Sequence, residues 1–258
     1  APSLFVSHGG GPMPLLGDAA HQPLVDWLTS PAARALVADA PQVRAVLCVT
    51  AHWEQPQVTV TTQAQPTLLY DYHGFPPAAY ALPWAARARG DAAVAQQIRD
   101  RLTAAGVANA ADDRRGWDHG VFVPLMLLLG AAPRVPVIQM SVLASQDPAA
   151  HLALGRALAP LRDDGIALVA SGMDFHNMAA LRAGLGGALP DRGAAPVNAA
   201  FADALGQVCR TPSVAARCAA LAQWTALPGA RAAHPAGAAE HLMPLLVAAA
   251  AGGEGAGE

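Results

Sequence analysis

Four short runs of apolar and β-branched residues punctuate the chain: Ser3–Ser7, Val43–Ala51, Val135–Val142 and Ile166–Ser171. Runs of this length and character predict strands covered on both faces. Between them lie alanine-rich stretches that predict helices over Gln22–Ala40, Asp91–Ala105, Val121–Leu129 and Pro148–Leu161. Strand followed by helix, repeated, implies right-handed crossovers and a mainly parallel sheet. Gln57–Thr62 alternates polar and β-branched residues and predicts an added strand at one edge, which would make the sheet mixed. Gly184–Pro196 reads as a loop before a helix around Val197–Cys209. A last apolar helix opens near Glu240 and His241, because Pro244 is tolerated only in a first turn. No composition break interrupts the alternation. Residues 1–258 therefore read as a single α/β domain, a central sheet flanked by helices, with 252–258 expected to fray.

Composition narrows the function. Apolar residues make up 53% of the chain, yet the longest apolar stretch, Leu242–Ala251, is half a membrane span. The first residues lack the basic segment and apolar stretch of a signal peptide, so a soluble, cytoplasmic protein is expected. A net charge of −3 without basic clusters argues against a nucleic-acid partner, which needs grouped cations for phosphate. All 16 basic residues are arginines, which excludes lysine Schiff bases and a P-loop. Cys48, Cys209 and Cys218 have no paired spacing and read as reduced thiols. The oligomeric state leaves no mark on the sequence.

The histidines carry the chemistry. His8 and His52 each directly follow a predicted strand, and His176 follows another across Gly172. In an open parallel sheet, ligands bind beyond the carboxyl ends of the strands, so three strands each deliver an imidazole toward one rim. Gly9-Gly10-Gly11 would allow close approach of backbone and ligand beside His8. His119, in Gly116-Trp117-Asp118-His119-Gly120, stands near the start of a helix, and Glu240-His241 begins the last one. Two histidines and a carboxylate such as Glu240 form a facial triad with open positions, an arrangement used by non-haem Fe(II) oxygenases. The aromatic, turn-rich loop Tyr70–Pro77 suits a planar substrate, with Tyr72 and His73 as candidate contacts. His21 reads as a polar-turn residue, His151 as part of a solvated helix face, and His234-Pro235 as a turn or loop pair. Arg114-Arg115 read either as partners, with the Tyr70–Pro77 loop, of an aromatic ring and a carboxylate or, as is usual for such pairs, as solvated.

Six short pieces carry a family resemblance: Ser7-His8-Gly9-Gly10, Ala51-His52-Trp53, Gly74-Phe75-Pro76, Trp117-Asp118-His119-Gly120, Ser171-Gly172 with His176-Asn177, and Glu240-His241 with Pro244-Leu245. Together and in this order they resemble the class III extradiol ring-cleaving dioxygenases, in particular the DOPA 4,5-dioxygenase-like branch. The resemblance implies one α/β domain with one non-haem metal, Fe(II) for activity, with Zn(II) also suited to the donors. It implies His8 and His52 as metal ligands and leaves the third place open between Glu240, His241 and His176. His119 and His176 match positions for substrate binding and acid/base catalysis. The implied partners are a small aromatic diol and dioxygen. Two other readings use the same residues: a zinc hydrolase with an activated water, and a non-enzymatic binding protein on the same scaffold.

Overall fold

A computed structural model describes residues 1–181 and 198–257, so the predicted loop Gly184–Pro196 lies outside the described residues. Six strands form one sheet in the order β1-β6-β2-β5-β3-β4. They are β1 (Ser3–Ser7), β2 (Ala45–Gln55), β3 (Val58–Thr61), β4 (Asn109–Asp112), β5 (Val137–Leu143) and β6 (Ile166–Gly172). All pairs are parallel except β3 with β5, which is antiparallel. The sheet is mixed, as expected, but β3 is not its edge. That place belongs to β4, whose Asn-Ala-Ala-Asp sequence has no β-branched residue to announce a strand.

Strand residues alternate between two apolar layers. Ala45, Leu47 and Val49 of β2 join Ile166, Leu168 and Ala170 of β6 in one core, while Val46 and Cys48 join Ala167 and Val169 in the other. Helices α1 (Gln22–Thr29), α2 (Pro31–Leu36) and α4 (His119–Leu129) supply the second layer. Helices α3 (Ala92–Ala104), α5 (Pro148–Leu158), α6 (Ala199–Cys209), α7 (Val214–Ala222), α8 (Ala230–Ala233) and α9 (Met243–Ala251) cover the opposite face.

The expected helix Gln22–Ala40 is two. Ser30 adopts extended geometry and its hydroxyl accepts the Ala33 N–H, capping a new helix that Pro31 begins. Residues 252–257 are tethered, contrary to the expected fraying. The buried Arg217 guanidinium donates to the carbonyls of Gly253 and Gly255, and the Gly255 N–H reaches Pro212 O. Among the described residues no helix is long and apolar enough to cross a membrane.

Candidate active site

The carboxyl ends of β1, β2 and β6 bring the predicted histidines to one rim. β1 ends at Ser7, so the chain turns at His8, and Gly9 follows at φ +70°. A Cβ on Gly9 would stand 2.6 Å from the His21 ring and from Pro14. The glycine therefore admits protein neighbours, not a ligand. His21 in turn accepts the Gly10 N–H at 3.0 Å and pairs with Asp18 at 2.7 Å, so it braces the loop that carries His8.

His52 does not follow β2 but lies within it. Pairing to β5 runs to Thr50↔Ser141 and resumes at Glu54↔Val142, leaving Ala51, His52 and Trp53 unpaired in an irregularity. Bulges of this kind re-aim side chains beside active sites. His119 opens α4, and a Cβ on Gly120 would meet Thr50 Oγ1 at 2.6 Å and His52 Cδ2 at 3.0 Å, so only glycine lets this helix end abut His52. At the end of β6, a Cβ on Gly172 would lie 2.1 Å from His241 O. That carbonyl accepts the Met173 N–H at 2.9 Å, docking the segment before α9 onto the sheet.

The result is a cluster of imidazoles. His8, His52 and His241 offer nitrogens within 4.8 Å of one another. His8 Nδ1 lies 2.9 Å from Gly9 O and donates there, while its buried Nε2 has no hydrogen-bond partner among the described residues. His241 Nδ1 donates to Glu240 Oε1 at 2.8 Å, leaving its Nε2 as a lone pair 3.2 Å from His52 Nε2. Two nitrogens about 2.1 Å from one ion stand roughly 3.0–3.4 Å apart. Burial, reinforced by the neighbouring imidazoles, holds His8, His52 and His241 below the ordinary histidine range. Both effects favour the neutral imidazole, the form that ligates metal. An orphaned nitrogen and two facing lone-pair positions fit a divalent ion.

Glu240 stands outside that nitrogen set and forms a second candidate metal group with His176 and His241, while His52, Asp71 and His119 form a third, so Glu240, His241 and His176 all stay beside the ion position. Glu240 Oε1 holds His241 and lies 3.0 Å from His176 Nδ1, a close approach without hydrogen-bond alignment. Burial alone would raise this carboxyl, but the contacts with His176 and His241 hold it well below the usual range. His176 stacks on His241, centroids 3.4 Å apart. His119 packs against His52 at 3.9 Å. Tyr72 turns its hydroxyl away to Ala79 O and presents its ring 5.8 Å from His119. His73 is exposed at the loop tip beside Gly74 and is not brought into the imidazole cluster.

Several functional neighbours escaped sequence reasoning. Asp71 accepts from the His119 backbone N–H and Nδ1 at 3.0 and 2.8 Å and lies 3.4 Å from His52 Nδ1. Asp118 is fully buried and accepts from Thr50, Arg115 and Gln139. Arg115 is not solvated: it also donates to His52 O and lies over the Trp53 ring. Gln146 takes φ +51°, accepts the Ala239 N–H at 2.9 Å and reaches Glu54 and Glu240 with its amide nitrogen. A non-glycine residue held in that region marks a clamped position. His151 is buried, accepting the Leu143 N–H, and is not the solvated helix residue the sequence implied; His234-Pro235 lies at a bend as expected, but His234 is buried and donates to Asp174 O.

Residues 2–258 match the model of the family described as the catalytic LigB subunit of aromatic ring-opening dioxygenase. Over 266 aligned residues the chain is 41% identical to dioxygenase tasH of Hapsidospora irregularis, covering 98% of this chain and 79% of that protein. It is 35% identical to the 4,5-DOPA dioxygenase extradiol of Beta vulgaris, over 67% of this chain and 62% of that one. The crystal structure of an uncharacterized Escherichia coli K12 protein superposes with a TM-score of 0.65 at 28% identity, covering 85% of this chain and 80% of that one.

Proposed function

The chain belongs to the family of catalytic LigB subunits of aromatic ring-opening dioxygenases, and we propose that it opens a catechol-type ring beside its hydroxyls, using dioxygen and a divalent metal. The observation that carries this reading is the grouping of ring nitrogens of His8, His52 and His241 within 4.8 Å of one another, with His52 and His241 facing through Nε2 at 3.2 Å and His8 Nε2 buried without a partner among the described residues. These three are the proposed ligands, with Glu240 orienting His241 instead of binding the ion. Fe(II) is the proposed ion for activity, and Zn(II) suits the same nitrogens. When bound, the ion supplies Lewis acidity that favours ionised hydroxyls and a route for electron density between ring and dioxygen.

The remaining residues handle protons and the ring. With Nδ1 beside Glu240, His176 has its other nitrogen available to take a proton from a substrate hydroxyl. An imidazole suits that task because it exchanges protons near neutral pH. His119 has Nδ1 committed to Asp71, which leaves Nε2 to hydrogen-bond the substrate. The aromatic group of Tyr70, Tyr72, Phe75 and Tyr80, its rings edge to face except for the tilted Tyr72–Tyr80 pair, forms the proposed apolar wall. The relatives named for DOPA make that diol the first substrate to try.

Paired variants test the assignment. His52→Ala is expected to lose metal binding, whereas His176→Ala keeps the metal and loses turnover. Full ring-opening by His176→Ala, or full metal binding by His52→Ala, contradicts the roles given. Zinc-dependent hydrolysis without oxygen uptake would favour a hydrolase on the same ligands.

A further inference from the structure

Two carboxylates divide the site's histidines between them. Glu240 Oε1 faces Nδ1 of His241 at 2.8 Å and of His176 at 3.0 Å. On the other side Asp71 faces Nδ1 of His119 at 2.8 Å through Oδ1 and Nδ1 of His52 at 3.4 Å through Oδ2. Each carboxylate thus touches one imidazole of the proposed ion set and one imidazole outside it. Glu240 is a neighbour of its ligand in sequence. Asp71 is brought in from a loop 48 residues before His119.

We propose that Asp71 is a positioning residue that fixes the tautomers of His52 and His119 together, aiming Nε2 of one at the metal and Nε2 of the other at the substrate. The proposal rests on the metal-centre reading above. A neutral imidazole carries one N–H and one lone pair, and an ionised carboxylate only accepts, so Asp71 selects the Nδ1–H form of His119 through a hydrogen bond and favours that form in His52 by its charge, at 3.4 Å and without hydrogen-bond alignment. His52 has an alternative. Its Nε2 stands 3.2 Å from His241 Nε2, whose lone pair is left free by the bond to Glu240. With its hydrogen on Nε2, His52 would donate to His241, and the two ligands would bond to each other instead of to an ion. Asp71 opposes that closure. Its Oδ1 also takes the His119 backbone N–H at 3.0 Å, which anchors the carboxylate to the first residue of α4.

Asparagine separates the two halves of this role. Its single amide oxygen can keep both His119 contacts, which leaves amide hydrogens facing His52 Nδ1 and selects the wrong tautomer of His52 alone. The test uses the full chain, wild type and Asp71→Asn, with zinc affinity measured by chelator competition. Imidazole-nitrogen NMR of the zinc-loaded protein reports the tautomers. Asp71→Asn is expected to weaken zinc binding by about ten- to a hundredfold while His119 keeps its Nδ1–H. Zinc affinity within about twofold of wild type in a folded Asp71→Asn protein overturns the proposal. The wild type alone gives a second check that needs no variant: both His52 and His119 must carry their hydrogen on Nδ1, and finding it on Nε2 of His119 overturns the proposal. A wild-type chain that binds no zinc refutes the metal-centre reading itself, a result distinct from either.

Discussion

Gly172 offers the sharpest single perturbation of the site from outside it. In Gly172→Ala the new Cβ would stand 2.1 Å from His241 O and 3.2 Å from the Phe5 ring, where ordinary contacts begin at 3.4 Å. The shortfall of about 1.3 Å falls on backbone, which cannot swing aside like a side-chain end. Either β6 or the His241 segment must retreat by about an ångström, straining the Met173 N–H bond to His241 O. Overpacking a tight interior costs about 1–3 kcal/mol, which for a domain of this size lowers the melting temperature by roughly 2–12 °C. Misplacing a proposed ligand by about 1 Å is also expected to reduce turnover by about a hundredfold. Thermal melting by circular dichroism and zinc titration on the same samples check both halves. Gly206→Ala is the control: its Cβ meets only the flexible tip of Arg210, at 3.4 Å, inside α6. It should be neutral or stabilise by about 0.5–1 kcal/mol. A Gly172→Ala protein that melts and binds zinc like wild type would refute the docking role of this glycine.

Three further outcomes follow from other contacts. Gln146→Ala removes both the bond to the Ala239 N–H and the contact with Glu240, so it is expected to weaken metal binding several-fold; unchanged zinc affinity would count against the clamp. Arg217→Ala strips donors from the carbonyls of Thr211, Ala249, Gly253 and Gly255. It should cost about 2–4 kcal/mol in urea unfolding without changing zinc affinity, since among the described residues the buried guanidinium bonds only backbone carbonyls of the C-terminal helices and tail and none of the imidazoles. In the metal-free protein, burial lowers His151 and takes His234 to about 4, so the unfolded chain binds protons that the folded one refuses. The stability is fully present above about pH 6.5 and is lost as pH falls toward 4; a urea midpoint that rises on acidification from pH 7 to 5 would contradict this.

The sequence made the parallel centre of the sheet legible because β2, β5 and β6 are buried on both faces and spell near-continuous apolar runs, which the half-buried edge strand β1 shares in part. β4 was not legible: an edge strand needs only backbone pairing, and Asn-Ala-Ala-Asp carries no packing signal. The break between α1 and α2 was written in Ser30-Pro31, a cap followed by a first-turn proline, and was outweighed by the surrounding alanines. His8 and His52 were legible because strand ends define the rim, although the irregularity that frees His52 depends on its pairing with β5. Asp71, Gln146 and Arg115 were not, because their partners lie far along the chain or on neighbouring loops and only the fold joins them. Which of Glu240 and His241, both candidates for the third place, faces His52 turns on side-chain direction, which adjacent residues cannot reveal.

The central claim is that this nitrogen cluster holds an ion at which dioxygen opens an aromatic diol. Anaerobic loading with Fe(II), followed by DOPA, protocatechuate or caffeate and then air, tests it most directly, with oxygen uptake and product mass followed together. The account predicts uptake of one dioxygen per ring, a yellow product heavier by both oxygen atoms, and loss of both in His52→Ala. Iron bound at one equivalent with no oxygen uptake on any catechol would contradict it.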